Sequence, residues 1–357
     1  MNKILLIDTA IDGHHIAYLK GILTLQNNFV VVIPKSNFNC ESKVIYADKF
    51  NLLSFDEYKK WLKEINKIID FEKPDIVHFL YGDVFYRFFG YGLSNIKNKC
   101  KKLIVTFHQF RIKKLVKISL KRIFNKISVG IVHTDYNKEE LNRIGIKNVN
   151  VIDYPQLYDF EISNCQSELK EKYDIKKDEI VFSLVGGIMG YKGIETLFES
   201  INKMKNKNIK VILAGKLYDY SKEQIESMIS NIKSNIIFKP GFLTDEEFLD
   251  FIAIADYIIL PYRNIFDGAS GPLTEAVWAR KPVIVSDNKA LGEITKSNNL
   301  GYTFKSENPD DLAKIMDYAI ENKFGWNENA ENFRNKISLN NFIASHNDIY
   351  KDQVIDK

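Results

Sequence analysis

The sequence predicts an α/β protein that contains two doubly wound parallel sheets. Short runs of β-branched and apolar residues alternate with helical patterns along the chain, which is typical of parallel strands joined by crossover helices. The runs form two series, separated by a polar, strand-poor segment between Pro155 and Asp178. A length of 357 residues suits two such domains. Ligands of open α/β sheets bind outside the carboxyl ends of the strands, so we expect the two Rossmann-like domains to face each other across a cleft.

The individual strands follow from the apolar runs, with helices predicted in most of the gaps between them. The first domain, residues 1–160, is predicted to hold strands at 3–7, 29–33, 75–80, 103–107, 130–133 and 150–153. The second domain, residues 161–338, is predicted to hold strands at 180–187, 210–214, 236–238, 257–260 and 283–285.

Composition excludes several classes of protein. With 45% hydrophobic and 27% charged residues the chain is typical of globular proteins. No apolar run approaches the ~20 residues that cross a bilayer, and the first eight residues predict a strand rather than a signal peptide, so we expect a cytoplasmic protein. The three cysteines have no disulfide or zinc spacing. A net charge of +4 is too small to indicate a nucleic-acid partner.

The charge is concentrated in one window of the first domain. No acidic residue occurs between Asp83 and Asp135, whereas Lys and Arg are frequent there. A stripe of apolar residues that includes Leu115, Leu120 and Ile123 predicts an amphipathic helix from Arg111 to Lys126. The remaining face is basic and includes Lys113, Lys114, Lys117 and Lys121. Two interpretations stay open. The helix binds an anionic membrane surface or an acceptor, or it packs on its own sheet with a solvated basic face.

The strand predicted at 257–260 leads into a segment with the features of an anion site. A glycine-rich turn is followed by Pro272, which suits the first position of a helix because it lacks an N–H group. The N–H groups of Ser270 and Gly271 would then point away from the helix. Such a terminus, at the positive end of the helix dipole, attracts a phosphate.

Two carboxylates flank this predicted phosphate position. Asp267 precedes the turn, and Glu275 lies one turn into the helix. An ionised carboxylate only accepts hydrogen bonds, so it suits sugar hydroxyls rather than phosphate oxygens. A nucleotide sugar has both parts, and it is the ligand that this segment predicts.

A second loop adds a cation. Residues 186–193 join a buried strand to a helix through several glycines, and Lys192 is placed where its ammonium can meet a diphosphate. The alternative is an ordinary surface lysine in a tight turn.

Seven residues separate Asp267 from Glu275, and the segment resembles the E-x7-E motif of retaining, GT-B-fold glycosyltransferases of family 4, the glycosyl transferases group 1. The resemblance implies that Glu275 binds the ribose, that Asp267 contacts the transferred sugar and that Lys192 binds the diphosphate. The family has an arginine where this chain has Gly187, and Arg263 is our candidate for the missing charge.

The resemblance extends to other parts of the chain. It implies that Gly13 and His14 approach the donor after the first strand, that His108 contacts the transferred sugar and that Phe242 packs near the base. The alternatives are a loop glycine with helix-capping neighbours for Gly13, a satisfied core residue for His108 and buried core for Phe242. A terminal helix within residues 339–357 is expected to cross back to the first domain.

The resemblance therefore implies a retaining hexosyltransferase that uses a nucleotide-diphosphate sugar. We expect UDP as the nucleotide and no metal or other cofactor. The expected acceptor is a glycan or a lipid-linked saccharide at the inner face of the cell membrane, in the synthesis of a surface polysaccharide or glycoconjugate. Two alternatives stay open: a sugar-nucleotide epimerase of the same fold, and a non-catalytic GT-B-like partner of another transferase.

Overall fold

The structure is a computed structural model that describes residues 2–11, 14–109, 114–156 and 165–351, with only the backbone described for His14. The chain forms two compact units. The first comprises Met1–Leu157 and Ser338–Lys357, and the second comprises Tyr158–Ile337. The domain ends predicted at residues 160 and 338 differ from these boundaries by a few residues, and residues 339–357 fall in the first unit.

The first unit contains a seven-stranded parallel sheet with the order β3-β2-β1-β4-β5-β6-β7. The order changes direction between β1 and β4, and this switch point opens a crevice at the carboxyl ends of these two strands. The strands are β1 (Lys3–Ile7), β2 (Asn28–Pro34), β3 (Lys43–Ala47), β4 (Ile76–Phe79), β5 (Lys102–Thr106), β6 (Val129–Val132) and β7 (Val149–Val151).

Helices connect these strands. They are α1 (His14–Leu23), α2 (Phe55–Glu72), α3 (Leu93–Lys97), α4 (Lys114–Phe124) and α5 (Asp135–Arg143). Helix α2 shows why such segments become helices here: its buried apolar residues recur at helical spacing and join the core of the first unit. They are Tyr58, Trp61, Leu62, Ile65 and Ile69.

The second unit contains a six-stranded parallel sheet with the order β10-β9-β8-β11-β12-β13. Here the direction changes between β8 and β11, so the loops that follow these two strands flank the crevice. The strands are β8 (Ile180–Val185), β9 (Ile209–Gly215), β10 (Ile236–Pro240), β11 (Tyr257–Leu260), β12 (Val283–Ser286) and β13 (Gly301–Phe304).

Helices of the second unit cover both faces of its sheet, with one buried apolar cluster on each face. They are α6 (Gln166–Lys172), α7 (Ile194–Lys203), α8 (Lys222–Met228), α9 (Asp245–Ala253), α10 (Gly271–Trp278), α11 (Lys289–Ser297), α12 (Pro309–Glu321) and α13 (Glu328–Lys336). Helices α8 and α9 begin with capping boxes, formed by Ser221 with Gln224 and by Thr244 with Glu247.

The last helix, α14 (Leu339–Lys351), packs against α1 in the first unit. Its Tyr350 hydroxyl lies 2.7 Å from His78 Nδ1, and His78 Nε2 lies 2.8 Å from Thr106 Oγ1. Burial lowers the pKa of the His78 imidazole, which keeps the ring neutral. His78 is therefore a hydrogen-bonded core residue that helps to attach α14.

Two strands, β3 and β13, were not predicted from the sequence. Both lie at sheet edges, and each has only one buried residue, Ala47 and Phe304 respectively. A strand with so little burial lacks the continuous apolar run that identifies the central strands. In the parts of the chain that the structure describes, no helix combines the length and the apolarity needed to cross a bilayer.

Candidate functional site

The loops after β8 and β11 touch each other at the switch point of the second sheet. Arg263 N donates to Tyr191 O over 2.8 Å, which joins the loops through their backbones. Gly193 has φ 66°, and a Cβ added there would lie 2.1 Å from Pro261 O. Only glycine fits so close to the neighbouring backbone, and this contact fixes the loop that carries Lys192.

Lys192 is buried, with 4% of its surface exposed, so the alternative of an ordinary surface lysine was wrong. Its Nζ donates to Val185 O over 3.2 Å and lies 5.7 Å from the centre of the Tyr262 ring. Among the described residues no carboxylate lies within 4.0 Å of this ammonium. Burial lowers the pKa of Lys192 to about 8, because the charged form loses hydration.

Lys192 and the start of α10 meet above Gly186. A Cβ added at Gly186 would lie 3.5 Å from Lys192 Nζ and 3.9 Å from Pro272 Cγ, which belongs to the first turn of α10. Ser270 is the N-cap residue, but its side chain does not cap the helix and lies 3.3 Å from the Tyr262 hydroxyl instead. A buried ammonium and the positive end of a helix dipole therefore face the same point, and both favour an anion.

The two predicted acids are both buried. Glu275 is 2% exposed on α10, and Asp267 is 6% exposed in the loop before it. Asp267 Oδ2 lies 3.1 Å from Lys289 Nζ at the start of α11. The sequence analysis missed Lys289. Its ion pair with Asp267 depends on the path of the loop after β12, and helix and strand patterns do not predict that path.

Arg263 lies at the end of β11 as predicted, but its charge already has a partner. Its guanidinium pairs with Glu195 Oε2 over 2.9 Å, and Glu195 Oε1 accepts a hydrogen bond of 2.7 Å from the Tyr220 hydroxyl. A guanidinium neutralised in this way offers less net charge to a ligand. Its role as a substitute for the missing arginine stays a prediction.

Phe242 is 78% exposed, so the alternative of buried core was wrong for this residue. Its ring lies 4.6 Å from Lys216 Nζ, and the same ammonium lies 4.8 Å from the Tyr218 ring. A Cβ added at Gly187 would lie 2.8 Å from a carbon of that Tyr218 ring. The sequence analysis named neither Lys216 nor Tyr218, which follow β9.

The predicted histidine of the first unit, His108, follows β5 and contacts a second histidine. His108 Nε2 lies 2.8 Å from Leu80 O, and His133 Nδ1 lies 2.8 Å from Ile152 O. Carbonyl oxygens only accept, so these two nitrogens carry hydrogen. The other nitrogens, His108 Nδ1 and His133 Nε2, are 3.2 Å apart. This distance allows a hydrogen bond between the two rings.

A contact between Asp8, which follows β1, and His15 on α1 was missed by the sequence analysis. His15 Nδ1 lies 2.9 Å from Asp8 Oδ1, and that oxygen also accepts from Thr9 N over 2.6 Å. Gly13 and His14 were predicted to approach the sugar donor. Gly13 and the side chain of His14 lie outside the described residues. One sequence feature could have indicated this contact, the acidic residue Asp8 directly after the first strand.

Helix α4 shows that part of the predicted apolar stripe is buried and part is exposed. Leu120 and Ile123 are buried in the core, which shows that this end packs on its own sheet. Leu115 was expected on the same stripe but is 68% exposed, and Ile118 is 42% exposed. The helix turns these two residues outward with its lysines. Lys114, Lys117 and Lys121 are exposed, whereas Lys113 lies outside the described residues.

Known proteins identify the family of the second unit. Residues 166–339 match the family model of glycosyl transferases group 1. An uncharacterized glycosyltransferase of Methanocaldococcus jannaschii is 26% identical over 274 residues, which are 74% of this chain and 64% of that protein. The chain spans between 47% and 64% of the length of this and two further curated relatives.

Solved structures match the whole chain. Sucrose-phosphate synthase from Thermosynechococcus elongatus has a TM-score of 0.76 at 15% identity, and the match covers 98% of both chains. The Anabaena protein HepE, solved in complex with UDP, has a TM-score of 0.74 at 13% identity and covers 98% of this chain and 99% of its own. Residues 166–339 thus form a glycosyl transferases group 1 domain, and the chain as a whole has the GT-B fold.

Proposed function

We propose that the protein is a retaining glycosyltransferase of family 4 that moves a hexose from a nucleotide-diphosphate sugar, with UDP as the nucleotide, to a hydroxyl of a glycan or lipid-linked saccharide. The observation that carries the proposal is Lys192. Its ammonium is buried beside the N-terminus of α10, and no described carboxylate pairs with it. Burial of an ammonium without a counter-ion costs free energy, which a bound diphosphate offsets.

The proposed chemistry uses the described groups of the second unit. The bond between C1 of the sugar and the β-phosphate oxygen breaks, and its electron pair stays on the diphosphate. Lys192 and the start of α10 stabilise that growing charge. Glu275 accepts from the ribose hydroxyls, and Asp267, oriented by Lys289, accepts from a hydroxyl of the transferred sugar.

The new bond joins C1 to the acceptor oxygen on the face that the diphosphate leaves. The acceptor proton passes to a phosphate oxygen. Because the acceptor attacks on the face that the diphosphate leaves, the anomeric configuration is retained. Because Lys192 and the start of α10 stabilise the diphosphate, the proposed reaction needs no metal. His108 keeps the role that the family resemblance implies, contact with the transferred sugar, as part of the proposal. The same holds for Gly13, His14 and Arg263 at the donor.

A panel of UDP-, GDP- and dTDP-sugars tests the proposal. We expect one donor to raise the melting temperature, because a ligand stabilises the native state by RT ln(1 + [L]/Kd). NMR should then show slow hydrolysis of that donor, with release of the sugar in its original anomeric form. Release of the opposite anomer would contradict retention. An isomerised sugar nucleotide would indicate an epimerase, and binding without turnover would indicate a non-catalytic subunit.

We further propose that α4 attaches the protein to the inner face of the cell membrane, where it meets its acceptor. Leu115 and Ile118 are exposed on the helix beside Lys114, Lys117 and Lys121. Exposed apolar side chains among lysines suit the boundary between headgroups and acyl chains of an anionic leaflet. This part of the proposal places the protein in the synthesis of a surface polysaccharide or glycoconjugate.

Replacing Lys113, Lys114, Lys117 and Lys121 with Gln is expected to weaken binding to anionic vesicles by roughly a hundredfold or more. Each lysine near the leaflet contributes about 1 kcal/mol, and the attraction is screened within about 10 Å at 0.1 M salt. Co-sedimentation with vesicles measures the effect, and donor hydrolysis in solution should stay unchanged.

The control for charge alone is a variant in which the α2 lysines Lys59, Lys60, Lys63 and Lys67 become Gln, which removes the same charge elsewhere. Equal binding by the two variants would contradict the membrane proposal. So would failure of the parent protein to bind vesicles at low salt.

A further inference from the structure

Lys216, Tyr218 and Phe242, here named the Lys216 cluster, form an exposed group at the carboxyl ends of β9 and β10. Lys216 Nζ lies 4.8 Å from the Tyr218 ring and 4.6 Å from the Phe242 ring. Tyr218 is 51% exposed and Phe242 is 78% exposed. The two aromatic rings therefore bracket one ammonium and still present much of their surface to solvent.

Backbone contacts hold the cluster against the loop that carries Lys192. Ile188 N donates to Lys216 O over 2.7 Å, and Tyr218 N donates to Ile188 O over 3.0 Å. Gly241 N donates to Gly215 O over 3.0 Å, which ties the end of β10 to the end of β9. The cluster is thus positioned by the same backbone network as the proposed diphosphate site.

Tyr218 occupies the space that a side chain at position 187 would need. A Cβ added at Gly187 would lie 2.8 Å from a carbon of the Tyr218 ring, closer than a van der Waals contact. An arginine at position 187 is therefore incompatible with Tyr218 in this place. At this point of the surface the Tyr218 ring lies over Gly187, and the cation beside that ring is Lys216.

The charge of Lys216 is available to a ligand. Within the described part of the chain no carboxylate lies within 4.0 Å of its ammonium, whereas Arg263 pairs with Glu195 and Lys289 pairs with Asp267. An ammonium donates hydrogen bonds and accepts none. A ligand that suits the cluster combines a flat aromatic face for the rings with an acceptor oxygen for Lys216.

We propose that the Lys216 cluster selects the base of the donor nucleotide, with Lys216 donating a hydrogen bond to an exocyclic carbonyl oxygen of a base that stacks on Tyr218 or Phe242. Uracil, thymine and guanine carry such an oxygen. Adenine has an amino group as its exocyclic substituent, which donates, and its acceptors are ring nitrogens alone. Stacking accepts any base, so the discrimination comes from Lys216. The inference rests on the proposed function, because it names the part of the donor that this surface contacts.

Calorimetric titration of UDP and ADP into the wild-type protein and Lys216→Met tests the proposal. We expect the Kd of UDP to rise about tenfold in the variant, which corresponds to about 1.4 kcal/mol, while the Kd of ADP stays the same. The control is Lys222→Met, which removes an exposed lysine at the start of α8 and should bind UDP as the wild type does. Tyr218→Ala together with Phe242→Ala should weaken both nucleotides, because stacking does not depend on the base.

Equal loss of UDP and ADP in Lys216→Met would show that Lys216 acts on the phosphates and would overturn the assignment to the base. Unchanged UDP binding would overturn any role of Lys216 in the donor site while leaving the proposed function intact. If the wild-type protein binds none of UDP, GDP and dTDP, the proposed function itself fails.

Discussion

Replacing Glu275 with Gln is expected to raise the Kd of UDP by about 10- to 100-fold. Glu275 is buried on α10, the helix whose start forms the proposed phosphate position, and a hydrogen bond to a charged group contributes about 1.5–3 kcal/mol. The proposed contact is to the ribose, which is present in the ground state and the transition state alike. The loss should therefore appear in donor binding, measured by calorimetry, with little change in the turnover of bound donor.

A matched control for this variant is Glu293→Gln, which removes an exposed carboxylate from α11. It should bind UDP with the wild-type Kd. Wild-type affinity in Glu275→Gln, with an unchanged melting temperature, would remove Glu275 from the donor site.

Replacing Lys192 with Met is expected to lower kcat for donor turnover by about 10²- to 10³-fold, with a much smaller change in KM. The ammonium interacts most favourably with the diphosphate when negative charge grows on this leaving group. Its removal should therefore destabilise the transition state more than the bound ground state. Steady-state kinetics of donor hydrolysis measures both constants. An equal loss of binding from Lys192→Met and Glu275→Gln would contradict the separate roles assigned to these residues.

The pKa of Lys192 gives a further test that needs no substrate. The pKa is about 8 in the folded protein, compared with 10.5 for an ordinary lysine, so between these values the unfolded chain holds a proton that the folded chain has released. The free energy of unfolding of the wild type should therefore rise with pH in this window, relative to Lys192→Met. The difference between the two proteins should change by on the order of 2 kcal/mol from pH 7 to pH 10.

Urea unfolding at each pH measures this difference, since other titrating groups contribute equally to both proteins. A constant difference across the window would show that burial does not shift the pKa of Lys192.

The activity should also depend on pH. The kcat/KM of the wild type should fall as pH rises above about 8, because the free enzyme loses the ammonium.

The central strands were predictable because burial on both faces of a parallel sheet leaves a continuous apolar run, as at Ile180–Val185 and Tyr257–Leu260. The edge strands Lys43–Ala47 and Gly301–Phe304 bury little and leave no such run. Sequence patterns therefore predict the centre of each sheet better than its edges.

Part of the candidate site was predictable for a similar reason. Glycines and a proline after a strand fix where a loop ends and a helix begins, which located Lys192 and Glu275 correctly on their elements. Side-chain contacts between loops were not predictable, because they depend on how separate strands align. The partner of Arg263, Glu195, and the rings around Lys216 belong to this second group.

A crystal structure of the protein with UDP tests the central claim most directly, the claim that the carboxyl edge of the second sheet binds the donor nucleotide. We predict that a diphosphate oxygen lies about 3 Å from Lys192 Nζ at the start of α10 and that the ribose hydroxyls contact Glu275. UDP bound at another surface of the protein, with Lys192 Nζ still donating to Val185 O, would contradict the account.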